Sequence, residues 1–172
     1  MLALLLSLTI SRLPAAMEQP TEYQVKAAFL FNFLKYVSWP ADSPLLKSAI
    51  YRIGLIGTDP FGSTLDEIVS GASIEGRPVL IARLSDPDSL RSCHIVFVKS
   101  ASDSLLSSIL RQAEQFGIVT VGESPTFIED GGVIRLRLKD DQVRFDINLA
   151  AANRSGLRIS SKLLQLAQEI YR

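Results

Sequence analysis

The stretch VRFDINLAAANRSGLRISSKLL, residues 143–164, decides how the second half of this chain folds. Its first part, 143–149, alternates apolar with charged or polar residues, and so does VIRLRL at 133–138. Such alternation is typical of β-strands with one buried and one solvated face. Lys139-Asp140-Asp141-Gln142 lies between the two strands and reads as a turn. The pattern therefore predicts an antiparallel hairpin.

Two short helices are predicted after the hairpin. Asn148 is placed to cap a helix over 149–155, and Gly156 is placed to end it. Residues 157–159 then read as extended. Ser160 or Ser161 caps a final helix, whose apolar residues are Leu163, Leu164, Ala167 and Ile170.

Strands alternate with helices in the preceding part of the chain. Strands are predicted over 51–57, 76–84, 94–99 and 118–122, and helices from Asp59-Pro60 to Gly71 and over 101–116, with Gly117 as C-cap. This order predicts a parallel sheet with right-handed crossovers, and the continuous apolar runs predict strands buried on both faces. The expected fold is α/β: a mixed, mostly parallel sheet with a C-terminal antiparallel hairpin and flanking helices, a Rossmann-like three-layer architecture.

A first helix, predicted over 22–38, is apolar on almost every side. Its segment AAFLFNFL, residues 27–34, requires burial on more than one side, either by its own domain or by a second copy. Trp39-Pro40 ends the helix. Aromatic residues concentrate here, and we consider four as candidates for self-association, with core packing as the alternative: Phe29, Phe33, Tyr36 and Trp39.

The first sixteen residues, MLALLLSLTISRLPAA, predict a signal peptide, with a buried N-terminal helix as the alternative. Nine apolar residues are too few to span a bilayer as a helix. Residues 17–172 suit a single domain. The single cysteine, Cys93, has no intramolecular disulfide partner, and its apolar surroundings predict a buried thiol.

Composition excludes several classes of function. Eighteen basic residues balance eighteen acidic ones, so the chain lacks the excess of positive charge that nucleic-acid binding uses. The only histidine, His94, adjoins Cys93, but neighbouring strand residues point to opposite faces, which argues against a metal pair. No nucleophile elbow or phosphate loop is present. We expect a protein that is not an enzyme and needs no cofactor or metal.

Four polar residues of the opening stretch are the candidates for binding a ligand or partner: Asp146, Asn148, Arg154 and Arg158. Arginine presents a planar fork of donors that suits carboxylates. The two arginines would therefore bind an anionic ligand or partner, or they would pair with Asp146 on the solvated face. The sequence favours the structural pairing.

Four segments resemble the YfiR family: EYQVKAAFLFNFLKYVSWP at 22–40, CHIVFVKS at 93–100, VTVGE at 119–123, and GGVIRLRLKDDQVRFDINLAAANRSGLRISSKLLQLA at 131–167. The resemblance covers essentially the whole of the chain after the signal peptide. It implies a periplasmic α/β domain without known catalysis, often homodimeric. The best understood members bind the periplasmic part of an inner-membrane diguanylate cyclase and repress it, and related domains are fused to sensor kinases.

The resemblance also implies a ligand pocket around the F-x-I-N-L segment and the arginines after it, hence around Asp146, Arg154 and Arg158. Family members carry disulfides, one of them in the hairpin, whereas this hairpin has no cysteine and Cys93 has no partner. We therefore expect a periplasmic, homodimeric, non-enzymatic repressor in cyclic di-GMP signalling. The alternative is a periplasmic domain that senses a small aromatic or anionic molecule.

Overall fold

An eight-stranded sheet forms the centre of the computed structural model, which describes residues 19–99 and 101–172. The predicted signal peptide, residues 1–16, lies outside these ranges. In chain order the strands are β1 (Val37–Ser38), β2 (Tyr51–Gly57), β3 (Ser73–Ile74), β4 (Arg77–Leu84), β5 (Ile95–Lys99), β6 (Val119–Gly122), β7 (Ile134–Lys139), β8 (Gln142–Asn148), β9 (Arg158–Ile159) and β10 (Glu169–Tyr171).

The large sheet has the strand order β10-β8-β7-β6-β5-β2-β4-β3. Strands β4, β2, β5, β6 and β7 are parallel, β8 is antiparallel to β7, and β10 is parallel to β8. The predicted mixed, mostly parallel sheet with its C-terminal hairpin is thereby confirmed. The remaining strands, β1 and β9, form a separate antiparallel pair.

Helices cover both faces of the sheet. They are α1 (Glu22–Tyr36), α2 (Thr64–Val69), α3 (Asp103–Phe116), α4 (Leu149–Arg154) and α5 (Ser161–Leu166), with a short 3₁₀ helix at Pro87–Ser92. Local capping explains their bounds: Thr21 forms a capping box with Gln24, and Gly117 ends α3 in the left-handed conformation. Among the helices in the described ranges, none combines the length and the apolarity needed to cross a membrane.

Two predicted elements are wrong in ways that long-range contacts explain. Asp59 does not cap a helix, because α2 begins at Thr64; instead the Asp59 carboxylate accepts from the Phe61 N–H at 2.8 Å and pairs with Arg83 at 2.8 Å. The last helix ends at Leu166, so Ile170 is not helical. Its segment forms β10, in which Ile170 pairs with Ile147, because the free edge of β8 offers unpaired backbone groups.

Helix α1 is covered by its own domain. Phe33 is fully buried, stacks on Phe29 with ring centroids 5.8 Å apart, and meets Phe145 edge-on at 5.3 Å. The prediction that Phe33 self-associates is therefore wrong. Phe29 and Tyr36 are half-buried, and self-association through them stays a prediction.

Cys93 is buried without a disulfide partner, as the sequence predicted. Burial raises the pKa of this thiol to about 11. Because the thiolate is the reactive form, the side chain is unreactive at neutral pH and acts as a small apolar residue.

Phe127 fills a slot that two glycines leave open. Its ring is buried, and a Cβ atom on Gly122 or on Gly132 would lie 2.4 Å or 2.2 Å from it. Such contacts are far inside van der Waals distance, and a buried ring has little room to move. The loop between β6 and β7 is thus fixed to the sheet by a ring that only glycine neighbours accommodate.

We predict that Gly122→Ala lowers the free energy of unfolding by about 2 kcal/mol, the range for overpacking a buried site. Urea denaturation followed by circular dichroism measures this. Combining Gly122→Ala with Phe127→Leu, which shortens the clashing group, should cost less than the sum of the two single changes. A Gly122→Ala protein as stable as wild type would contradict the slot.

Candidate functional site: the groove beside Trp39 and Arg158

The pairing of β1 with β9 brings two predicted functional residues together. The two strands pair antiparallel, with Ser38 opposite Arg158 and Val37 opposite Ile159. Arg158 therefore lies beside the residue that precedes Trp39, although 119 positions separate Arg158 from Trp39 in the chain. A predicted recognition residue and a predicted self-association residue thus belong to one surface.

This surface is a groove with a volume of about 680 Å³, which we call the Trp39–Arg158 groove. Its lining residues are Ser38, Trp39, Pro40, Ala41, Leu46, Gly156 and Arg158. Trp39 is largely buried and donates its indole N–H to the Gly117 carbonyl at 2.9 Å, so this wall is rigid. Leu46 is 40% exposed and supplies apolar surface to the lining.

Arg158 provides the charge at this groove. Its side chain is exposed, and it forms no ion pair or hydrogen bond with any residue in 19–99 or 101–172. A free guanidinium beside an apolar wall can bind a carboxylate or phosphate through paired hydrogen bonds. The groove therefore suits a group that combines negative charge with apolar surface.

The segment that carries Leu46 is held by His94, which precedes β5, and by Arg77 of β4. His94 is buried; its Nε2 donates to the Leu45 carbonyl at 2.9 Å, and its Nδ1 accepts from the Arg52 N–H at 3.2 Å. Arg77 donates to the carbonyls of Leu46 at 3.1 Å and of Ser48 at 3.2 Å. His94 therefore has a structural role: it holds a loop that lines the groove.

Asp146 has a different environment from the one the sequence favoured. It is completely buried, 2.9 Å from Arg135 Nη2 and 3.0 Å from Arg137 Nε. Arg137 also pairs with Glu169 of β10 at 2.7 Å. The favoured pairing of Asp146 with Arg154 or Arg158 is wrong, because Arg135 and Arg137 of β7 already pair with the carboxylate. Asp146 joins β7, β8 and β10 electrostatically.

Asn148 and Arg154 also make local contacts. The Asn148 side chain accepts from the Ala151 N–H at 2.9 Å, which confirms the predicted cap, and donates to the Ile128 carbonyl at 3.1 Å. Arg154 pairs with Glu114 of α3 at 3.2 Å. Of the four candidates, Arg158 is the one that lines the Trp39–Arg158 groove.

Another polar cluster lies at the opposite end of the sheet, where open α/β sheets commonly bind ligands. Lys26 is buried between Glu22 and Glu123, and Lys99 binds Glu123 at 2.9 Å. Tyr23 packs edge-on against Phe61 with centroids 5.6 Å apart, next to this cluster. The two lysines balance the two glutamates, and a cavity of about 490 Å³, lined in part by Lys99 and Glu123, lies beside the cluster.

Comparison with known proteins adds the family. Residues 23–168 match the sequence model of the family described as YfiR/HmsC-like. The chain belongs to this family. YfiR/HmsC-like domains are periplasmic and regulatory, in general non-catalytic, and they belong to the context of cyclic di-GMP signalling.

Solved structures support the fold. A conserved domain protein from Vibrio cholerae O1 biovar El Tor is 14% identical, with a TM-score of 0.54 over 87% of this chain and 60% of that one. This YfiR/HmsC-like chain therefore spans about three fifths of that protein, and at this identity the likeness shows the fold alone. An ABC domain in complex with L-Trp from Streptococcus pneumoniae is 12% identical, over 70% of this chain and 55% of that one. Its TM-score of 0.48 supports no argument.

The sequence pointed to Trp39 and Arg158 separately but gave no sign that they are neighbours. Two-residue strands such as β1 and β9 are too short for a periodic pattern. Nothing in the local sequence of Leu46 indicates that it lines the groove.

Stability measurements should distinguish the structural role of Asp146 from the exposed, non-structural position of Arg158. Asp146→Asn leaves two arginines beside a neutral buried group, and we expect it to lower the free energy of unfolding by about 3 kcal/mol. Arg158→Ala removes an exposed side chain without a partner among the described residues, and we expect a change within about 0.5 kcal/mol. Urea denaturation of both variants tests the assignment. Equal losses of stability would contradict it.

Proposed function

We propose that this protein is a non-enzymatic periplasmic regulator that binds the periplasmic part of an inner-membrane signalling protein and represses it. The target is a diguanylate cyclase, so that repression lowers cyclic di-GMP; a sensor kinase is the second type of partner. The observation that carries the proposal is the YfiR/HmsC-like match over residues 23–168.

The Trp39–Arg158 groove is the contact surface we propose for that partner. Tryptophan and arginine are the residue types that contribute most often to binding energy at protein interfaces, particularly beside a desolvated pocket. Here both border one groove, and the guanidinium is not compensated by any described residue. The matching segment of the partner would carry an acidic residue next to an apolar side chain.

Repression requires a difference in affinity between the two states of the partner. A regulator that binds the active and inactive forms equally shifts nothing, however tightly it binds. To move a partner from 99% active to 99% inactive, the inactive form must be bound about 10,000-fold more tightly. The Trp39 wall, held by its bond to Gly117, serves this purpose, because the two states of the partner then fit it differently.

Homodimerisation is part of the proposal, and the half-buried Phe29 and Tyr36 of α1 are its candidate contacts. They lie on the first helix, whereas the Trp39–Arg158 groove follows that helix. A dimer formed through α1 would hold two grooves in a fixed relation, which suits a dimeric membrane partner.

We predict that Arg158→Ala abolishes repression in cells. Deleting the gene should raise cyclic di-GMP, wild-type protein should restore the lower level, and Arg158→Ala should not. Arg154→Ala is the matched control, because Arg154 is also an exposed arginine but pairs with Glu114. With the purified periplasmic part of the partner, we expect Arg158→Ala to weaken binding about 30-fold, the loss typical of a hot-spot residue.

An unchanged level of cyclic di-GMP after deletion would contradict repression of a cyclase. Equal effects of Arg158→Ala and Arg154→Ala would contradict the groove as the binding surface, while leaving repression itself supported.

A small-molecule sensor is the second candidate function, and the form of the groove favours it. A volume of about 680 Å³ is in the range of small-ligand sites, and an indole wall with one guanidinium suits an aromatic carboxylate. Binding such a molecule would fill the surface that we propose for the partner. The ligand would then control repression by competition.

Calorimetry with aromatic amino acids and phenylacetate tests this alternative. We expect wild-type protein to give heat of binding and Arg158→Ala to lose at least about tenfold in affinity, because the carboxylate loses its charged partner. Absence of heat with both proteins would eliminate the sensor function.

A further inference from the structure

The segment between β1 and β2 contributes Ala41 and Leu46 to the Trp39–Arg158 groove, and the side chains of His94 and Arg77 hold its backbone. His94 Nε2 contacts the Leu45 carbonyl at 2.9 Å, while Arg77 donates to the carbonyls of Leu46 and Ser48. The Leu45 side chain is buried, whereas that of the adjacent Leu46 faces the groove. The position of the Leu46 wall therefore depends on what His94 and Arg77 can bind.

Only the neutral form of the His94 ring can make both of its hydrogen bonds. Its Nδ1 accepts from the backbone N–H of Arg52 at 3.2 Å, so the ring proton must be on Nε2, which donates to Leu45. A second proton would lie on Nδ1 and face the N–H donor of Arg52. Protonation thus breaks the bond to Arg52, keeps the bond to Leu45, and places a charge in a ring that is completely buried.

The charges around this ring also oppose a proton. Arg77 and Arg52 are the charged groups that act on it. Tyr51 and Trp39 pack against it as neutral rings, with centroids 4.8 Å and 5.2 Å away. No carboxylate among the described residues hydrogen-bonds to the ring.

The other titratable groups on the neighbouring elements are directed elsewhere. Asp42 and Lys47 of the β1–β2 segment are exposed, and Arg91 of the 3₁₀ helix lies over the Phe116 ring. Glu75 is exposed and 3.9 Å from Arg77. Cys93, next to His94 in the chain, is buried with a raised pKa and is therefore neutral.

We propose that His94 is a proton-operated latch of the Trp39–Arg158 groove. The neutral ring is stable beneath the Leu45–Ser48 backbone, whereas the protonated ring, which loses its bond to Arg52, becomes hydrated only when that backbone moves away and opens the Leu46 wall. The inference rests on the proposed function only in assuming that the groove is the surface that binds the partner. The latch itself is a property of this chain and is measured without a partner.

The direction of the pH dependence follows from proton linkage. Burial, then Arg77 and Arg52, lower the pKa of His94 against the raising effect of its bond to Leu45. A released state in which the ring is hydrated binds the proton at an ordinary pKa of about 6.5. The latched state is therefore fully stable above about pH 6.5 and loses stability as the pH falls from there through the lower pKa of the folded form.

Two signals report on the latch. Trp39 is the only tryptophan of the sequence and packs against His94, so its fluorescence responds when the imidazole moves or gains charge. Within the held segment, the Leu46 N–H donates to the Ser43 carbonyl and the Ser48 N–H donates to the Leu45 carbonyl. Hydrogen exchange of these two amides therefore measures release of the segment.

The experiment compares wild-type protein at pH 7.5 and pH 5.0. After correction for intrinsic exchange, the opening equilibrium constant of the 43–50 segment should be several-fold higher at pH 5.0 than at pH 7.5. A pKa of about 6.5 for His94 in the released state limits this increase to about 30-fold. Trp39 fluorescence should change over the same pH range. The amides of β5 and β6 should keep their protection, because the sheet stays folded.

Three variants identify the group responsible. His94→Gln keeps an N–H donor but takes up no proton, so both pH responses should disappear. Arg52→Gln removes one of the two repelling charges while leaving the backbone N–H. The pH midpoint of the exchange and fluorescence responses should therefore move to higher pH. Arg91→Gln is the matched control, since its guanidinium lies over Phe116, and its midpoint should equal that of wild type.

Unchanged exchange of 43–50 between the two pH values would overturn the latch, and so would an equal response in His94→Gln. If His94→Gln fails to fold, the contrast between Arg52→Gln and Arg91→Gln decides: equal midpoints overturn the proposal. These outcomes are independent of repression, because no partner is present. Failure of the proposed function would instead appear as unchanged cyclic di-GMP after deletion of the gene.

Discussion

The burial of α1 is the constraint on which the rest of the structure depends. Its segment 27–34 is apolar on nearly every side, and Ala27, Leu30, Phe33 and Leu34 are almost completely buried within the same domain. Once α1 is fixed, its last turn leads directly into β1, and the chain reaches Trp39, whose indole is bound to Gly117. The Trp39–Arg158 groove exists because this buried helix places β1 where β9 can pair with it.

Charged residues in this protein differ in function according to their partners rather than their position in the sequence. Asp146 and Arg158 belong to the same stretch, yet the first is completely buried between two arginines and the second is exposed without a described partner. A buried, compensated charge contributes to the fold and is unavailable to ligands. An exposed arginine beside an apolar wall is available for recognition, which makes Arg158 the informative residue of the site.

Local signals predicted much of the fold. Alternating residues predicted the hairpin of β7 and β8, and Asn148 and Gly117 predicted the caps that are observed. The errors arose where a distant residue competed for a local group: Arg83 for Asp59, Arg135 and Arg137 for Asp146, and the edge of β8 for Ile170. The groove was not predictable as a unit, because it depends on two strands of two residues each that lie far apart in the chain.

The central claim is that the Trp39–Arg158 groove is the surface through which this YfiR/HmsC-like domain contacts its membrane partner. Hydrogen exchange of the protein, with and without the periplasmic part of that partner, tests it most directly. The account predicts increased protection confined to residues 38–46 and 156–159, the two segments that line the groove. Protection elsewhere, with these two segments unchanged, would contradict it.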